Sequence, residues 1–185
     1  MSPWQIRQAA RALRAGGVIA YPTETVYGLG CDPLNRAAIE RLLSLKGRPV
    51  EKGLILIAAQ LDQLRPYLNI GDTALLEKLS RPAPRPTTWL VPSHPHTPRW
   101  LTGKHDTLAV RLCRHPQTRA LCDAFGAAIV STSANPASLP PARTATRIRR
   151  YFNGDIDYLL SGPIAANAKP SEIRDLISNE VLRPG

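Results

Sequence analysis

Leu54-Ile55-Leu56-Ile57-Ala58-Ala59 is an unbroken apolar run bounded by Gly53 and Gln60. Six residues are too few for a buried helix, and apolar residues on both faces mark a strand in the middle of a covered sheet. Upstream, Asn35 is a cap for a helix whose inner face is Ile39, Leu42 and Leu43. Further out, residues 18–21 read as a buried strand stopped by Pro22. Ser2-Pro3 opens a helix with Ile6, Ala9, Ala10 and Leu13 at helical spacing, ended by Gly16-Gly17. Downstream, helical segments are predicted near 61–67 and 72–79, and Pro82, Pro84 and Pro86 then break the chain. Strands follow at 88–91, 108–112 and 128–131, with a helix at 116–125. A basic amphipathic helix is predicted at 144–152, with short strands near 157–160 and 172–177. Strands alternating with helices predict an α/β fold with a mixed, twisted sheet. With no repeat and no linker, residues 1–185 are expected to form one domain.

The chain carries 24 Lys and Arg against 14 Asp and Glu, a net charge of +10. The excess is local. Residues 81–119 hold seven basic residues against Asp106, and 136–150 hold Arg143, Arg147, Arg149 and Arg150 with no acid; the remainder is neutral. An apolar share of 43% argues against disorder. No run approaches the roughly 18 apolar residues of a membrane span. Met1-Ser2-Pro3-Trp4-Gln5 lacks the basic-then-apolar opening of a secretory signal. Cys31, Cys113 and Cys122 are odd in number and far apart, so neither a disulfide framework nor a CxxC metal pair is expected. His94, His96, His105 and His115 lack zinc spacing. Cys113 and His115 can be drawn as a thiol–imidazole pair, but nothing else in the sequence supports one. A soluble protein of the cytoplasm is expected.

Four segments carry more polar chemistry than packing needs. Tyr21-Pro22-Thr23-Glu24-Thr25-Val26-Tyr27-Gly28-Leu29-Gly30 follows a strand, where α/β proteins bind ligands. Its hydroxyls can bond a small polar substrate and its glycines allow close backbone approach; a plain strand–turn fits equally well. Lys46-Gly47-Arg48-Pro49-Val50-Glu51-Lys52-Gly53 sets three cations in a Gly/Pro loop suited to phosphates, without P-loop spacing. Taken alone, it also reads as a solvated charge run. Ser131-Thr132-Ser133-Ala134-Asn135 ends another strand with four small hydrogen-bonding side chains, or makes an ordinary turn. Finally, Arg111 lies inside an apolar strand and needs an anionic partner, either Asp106 or a ligand carboxylate. The tail Lys169-Pro170-Ser171-Glu172-Ile173-Arg174 joins it as a further polar cluster.

In this order, and with Leu-Ala-Val-Arg followed by His115-Pro116 and a Pro-Ser-x-Ile-x-Asp-Leu tail, the motifs resemble the YrdC-like threonylcarbamoyl-AMP synthase family from about residue 4 to Arg183. Thr97-Pro98-Arg99-Trp100-Leu101-Thr102-Gly103 resembles its short single-domain bacterial branch. The resemblance implies a twisted mixed sheet flanked by helices, with a concave basic cleft. It implies condensation of L-threonine, bicarbonate or CO2 and ATP to threonylcarbamoyl-adenylate and pyrophosphate, for N6-threonylcarbamoyladenosine in tRNA. Thr23, Arg111, Ser131 and Ser171 would then hold threonine. Lys46, Arg48 and Lys52 would be catalytic and nucleotide-binding, joined by Thr107, Ser133, Asn135, Pro141 and Arg183 on the nucleotide. Mg2+ would accompany ATP, held mainly by the nucleotide and water, since acidic residues near these loops are few, and no protein metal ligand is named.

Two departures from the family pattern replace glycines: Arg85 in Ala83-Pro84-Arg85-Pro86 and Ser138 in Ser133-Ala134-Asn135-Pro136-Ala137-Ser138. Each predicts an altered or strained turn. The charge surplus at 81–119 and 136–150 suggests contact with tRNA, and the product implies hand-off to a threonylcarbamoyl-transferase complex. The alternative reading is a non-catalytic module for structured RNA, favoured by 19 Arg against five Lys but lacking RNP or KH signatures.

Overall fold

The computed structural model describes residues 2–81, 83–165 and 170–185; Pro82 and Lys169 lie outside the described residues. The elements are α1 (Pro3–Arg14), β1 (Ile19–Pro22), β2 (Tyr27–Gly30), α2 (Arg36–Lys46), β3 (Ile55–Ala58), α3 (Thr73–Ser80), β4 (Thr87–Pro92) and α4 (Arg99–Thr102). They continue with β5 (Thr107–Leu112), α5 (Pro116–Phe125), β6 (Ile129–Ser133), α6 (Ala145–Phe152), β7 (Tyr158–Leu159), β8 (Glu172–Asp175) and β9 (Val181–Arg183). The strands form one sheet in the order β7-β1-β2-β6-β3-β5-β4-β8-β9. β3 runs parallel to β5, β4 to β8 and β1 to β7; the other neighbours are antiparallel. The expected mixed α/β sheet is therefore present, with the 54–59 run at its centre.

Strand alternation divides the core between the two faces. Ile19, Tyr21, Ile57 and Ile129 meet α1 and α5 through Ile6, Ala9, Leu13 and Leu121. Ala20, Leu29, Leu56, Val110 and Val130 meet α2 and α6 through Ile39, Leu42, Ile148 and Phe152. Each large apolar side chain buried this way contributes about 1.5–3 kcal/mol. Asn35 caps α2 through its side chain, which accepts from Ala38 N–H at 3.0 Å. Ser2 precedes α1 without a side-chain cap bond; Pro3 alone pre-sets that first turn.

Two expectations are corrected, and two elements are added. The segment 61–67 is two 3-10 turns, Leu61–Gln63 and Arg65–Tyr67, because Pro66 removes a backbone donor. Residues 27–30, expected as part of a ligand loop, are the buried strand β2, paired to β1 from Ile19↔Gly30 to Pro22↔Tyr27. Its glycines admit the Tyr21 ring: a Cβ on Gly30 would stand 2.0 Å from the Val130 carbonyl and 2.9 Å from the Tyr21 hydroxyl. α4 and β9 are additions to the predicted elements. Of the two replaced glycines, Ser138 takes the left-handed conformation, φ 66°, and Arg85 does not. Among the described residues no helix is long and apolar enough to cross a membrane.

Candidate functional site

On the face covered by α1 and α5, helix cover stops at the rung holding Ile57, Ile129 and Arg111. The next rung, Ile55 with Ala109 and Ser131, is open and floors a cleft of about 530 Å³. Arg48, Lys52, Arg111 and Arg183 line this cleft together with Thr23, Thr107, Ser131, Ser133, Pro141 and Ser171, and its described lining contains no carboxylate. Ten of the twelve site residues expected from the sequence therefore share one cavity. Lys46 and Asn135 do not line it.

Arg111 is 6% exposed, so its charge needs compensation. Its expected structural partner, Asp106, instead lies at the exposed surface 3.8 Å from Arg99. The acid beside Arg111 is Glu24, with Arg111 Nη2 3.8 Å from Glu24 Oε2. Coulomb attraction at that separation is about 4 kcal/mol at an effective dielectric of 20. Burial pushes the Glu24 carboxyl up, but Arg111 and the Arg114 N–H, which donates to Glu24 Oε1 at 2.6 Å, outweigh it and hold the pKa below the usual range. Arg111 Nε and Glu24 Oε2 are both buried without a hydrogen bond. A buried guanidinium with unused donors beside hydroxyls is a receptor for a carboxylate or phosphate.

At the other end of the cleft, α2 terminates at Gly47, whose φ of 58° closes the helix. Arg48 turns back on its own loop, donating from Nη2 to the Gly53 carbonyl at 2.9 Å. α4 braces the loop from outside. Leu54 N–H donates to the Leu101 carbonyl at 2.8 Å, and Lys104 N–H to the Glu51 carbonyl at 3.1 Å. Lys52 stays exposed at the rim. Lys46 is buried, and its ammonium donates to the Ser133 carbonyl and to the Asn135 carbonyl, the latter at 2.8 Å. Burial, then the neighbouring Arg48 charge, brings its pKa down to about 8. Asn135 is likewise spent on backbone, its Nδ2 donating to the Leu139 carbonyl at 2.7 Å. These two residues tie α2 to the loop that follows β6.

The hydroxyls are held by their own turns. Thr23 Oγ1 donates to the Val26 carbonyl at 2.7 Å, and Ser171 Oγ lies 3.1 Å from Thr88 Oγ1. Arg183 donates to the Ser171 carbonyl at 2.7 Å, joining the tail to β9. Burial, then the Arg111 charge, pulls the Arg183 pKa down. The two guanidiniums thus feel each other across a cavity without acids.

His105, Tyr27 and Thr102 also line the cleft and were not among the expected site residues. Strand periodicity held the signal for His105, since Arg111, Ala109 and Thr107 step back in twos to it. Burial pushes the Cys113 thiol up to about 12, and His115 Nε2 sits 2.9 Å from the Pro163 carbonyl, so these two form no nucleophile–base pair. No group of three or more His, Cys, Asp or Glu among the described residues could hold a metal ion.

Known proteins resemble this chain over nearly its full length. The family model for Sua5, YciO and YrdC, described as "Telomere recombination", matches residues 11–185. A threonylcarbamoyl-AMP synthase of Nitrosococcus oceani is 52% identical over 180 residues, covering 97% of each chain. The crystal structure of P. abyssi Sua5 complexed with L-threonine matches with a TM-score of 0.90 and 33% identity; it covers all of this chain, which spans 55% of that longer protein. E. coli YciO matches with a TM-score of 0.84 at 27% identity, covering 100% of this chain and 90% of its own. With the family model matching residues 11–185 and relatives alike over nearly the whole length, the chain belongs to the Sua5/YciO/YrdC family.

Proposed function

We propose that this chain is a threonylcarbamoyl-AMP synthase, a nucleotidyltransferase that condenses L-threonine, bicarbonate or CO2 and ATP, for the N6-threonylcarbamoyladenosine modification of tRNA. The observation that carries the reading is the acid-free cleft, in which Arg111 waits with unused donors at one end and Arg48 and Lys52 stand at the other. A small carboxylate-bearing substrate suits the first end and a polyphosphate the second. Support comes from relatives named threonylcarbamoyl-AMP synthase and from the L-threonine complex of P. abyssi Sua5.

In this reading Arg111 and Ser131 fix the threonine carboxylate, with Thr23 and Ser171 around the rest of the molecule. Threonine's amine bonds to the carbon of CO2, losing a proton and giving a carbamate. A carbamate oxygen then bonds to the α-phosphorus of ATP as the bond to pyrophosphate breaks. Arg48 and Lys52 neutralise the phosphate charge, and Thr107, Ser133, Pro141 and Arg183 contact the nucleotide. Lys46 and Asn135 act through backbone, setting the Ser133 loop. Such chemistry needs positioning and charge neutralisation, not a covalent nucleophile. Mg2+ enters as part of the ATP substrate; the described lining offers it no carboxylate.

Purified protein given 13C-bicarbonate, L-threonine and ATP is expected to form an adenylate containing both threonine and the labelled carbon, read by mass spectrometry. Unlabelled product, or AMP alone, overturns the reading. Contact with tRNA is proposed through exposed Arg147, Arg149 and Arg150 of α6 and through Arg81, Arg85, Arg114 and Arg119, which surround a second cavity of about 500 Å³. Binding to tRNA is then expected to weaken steeply with salt; an affinity indifferent to ionic strength contradicts it. Hand-off to a transferase complex in the cytoplasm completes the proposal, consistent with three buried, free cysteines.

A further inference from the structure

Glu24 lies at a boundary that the reaction itself does not explain. Arg111 lines the main cleft, whereas Glu24 lines the second cavity, so the 3.8 Å contact between them is where the two cavities meet. Both side chains are nearly inaccessible, 8% exposed for Arg111 and 14% for Glu24. Among the described residues the Arg111 guanidinium has no hydrogen bond, and Glu24 is the acid paired with it. Glu24 is itself fixed from behind, because Arg114 N–H donates to its other oxygen at 2.6 Å. Its own residue sits in the tight turn closed by Thr23, whose N–H and hydroxyl both donate to the Val26 carbonyl. A carboxylate locked at one oxygen and facing a guanidinium with the other is a fixed electrostatic stop. It holds the guanidinium in place without using its hydrogen-bonding capacity.

We propose that Glu24 is a positioning residue for threonine recognition: it orients Arg111 from behind through charge alone, leaving the guanidinium donors free for the substrate carboxylate. The proposal rests on the synthase reading above. Glu24 does not line the described wall of the cleft, so it touches no substrate there and acts through Arg111. A general-base role is disfavoured on the same geometry, and also because Arg111 and the Arg114 amide keep this carboxyl more acidic than usual despite its burial.

The test compares Glu24→Gln, Glu24→Asp and Arg111→Lys, reading pyrophosphate release with L-threonine and ATP varied separately. Glu24→Gln keeps an acceptor for the Arg114 amide and removes the charge. It is expected to raise the KM for threonine tenfold or more, with the KM for ATP changed less than twofold, and Glu24→Asp is expected to recover part of the loss. In an Arg111→Lys background, Glu24→Gln is expected to add little, because the two residues act as one unit. Unchanged or tighter threonine binding in Glu24→Gln overturns the inference, as do threonine and ATP constants rising together or additive losses in the double variant. If Glu24→Gln does not fold, Glu24→Asp, whose shorter side chain draws the carboxylate back from Arg111, is expected to raise the KM for threonine alone, and an unchanged threonine KM or a parallel rise for ATP overturns the inference. Wild-type protein without threonine-dependent turnover would sink the synthase reading itself, an outcome distinct from an active wild type indifferent to Glu24.

Discussion

Lys46 and Lys52 stand six residues apart and differ in burial and in what their ammonium groups touch. Lys52 is exposed at the rim of the cleft, whereas Lys46 is buried and spends its donors on the carbonyls of Ser133 and Asn135. A charge run in a loop gives no sign of which lysine turns inward; that depends on where the β6 loop arrives in three dimensions. Because the folded pKa of Lys46 falls to about 8 from an ordinary 10.5, the unfolded chain binds more protons between these values. The penalty for burying the ammonium is therefore complete below pH 8 and fades as pH rises toward 10.5. Urea titrations are expected to show wild type gaining stability relative to Lys46→Met over this window, by up to about 3 kcal/mol. Stability curves that stay parallel from pH 7 to 10 contradict this.

Among the elements, those with strong periodicity were legible and those shaped by glycine were not. α2, β3, β5 and α5 follow directly from apolar spacing and caps. β2 was hidden because Gly28 and Gly30 argue against a strand, yet they are what lets the Tyr21 ring lie over it. Of the altered or strained turn that the sequence predicts after β6, the structure has the strained form, with Ser138 held at φ 66°. A left-handed non-glycine residue costs about 1–2 kcal/mol, offset in part by the extra chain entropy that glycine loses on folding. Ser138→Gly is expected to leave stability unchanged or raise it by up to about 1 kcal/mol, read by thermal unfolding. A clear fall in Tm would show that the Ser138 side chain stabilises the turn. At Arg85 the other alternative holds: the residue does not take a positive φ, so that proline-rich turn is altered and not strained in this way.

At the scale of the whole molecule, the cleft is a consequence of incomplete cover. α1 and α5 shield the sheet up to Ile57 and Ile129, and the uncovered rung beyond them lines the cleft with Ala109 and the largely buried Ser131, with Arg111 at the edge. The ordered motifs named the residues that meet there, which come from strands, from the loops beside them and from the loop between α2 and β3. Sequence could not supply the pairing of Arg111 with Glu24, which joins two segments 87 residues apart and depends on sheet order. Net charge pointed elsewhere: among the described residues, Arg111 is the one cation of the two basic stretches that lines the cleft, while the other arginines there stay outside it. The most direct measurement is pyrophosphate release by the purified protein supplied with ATP, L-threonine and bicarbonate. Release that requires both threonine and bicarbonate is expected; no release with all three present, or equal release when threonine is omitted, would contradict a threonine-dependent adenylate synthase.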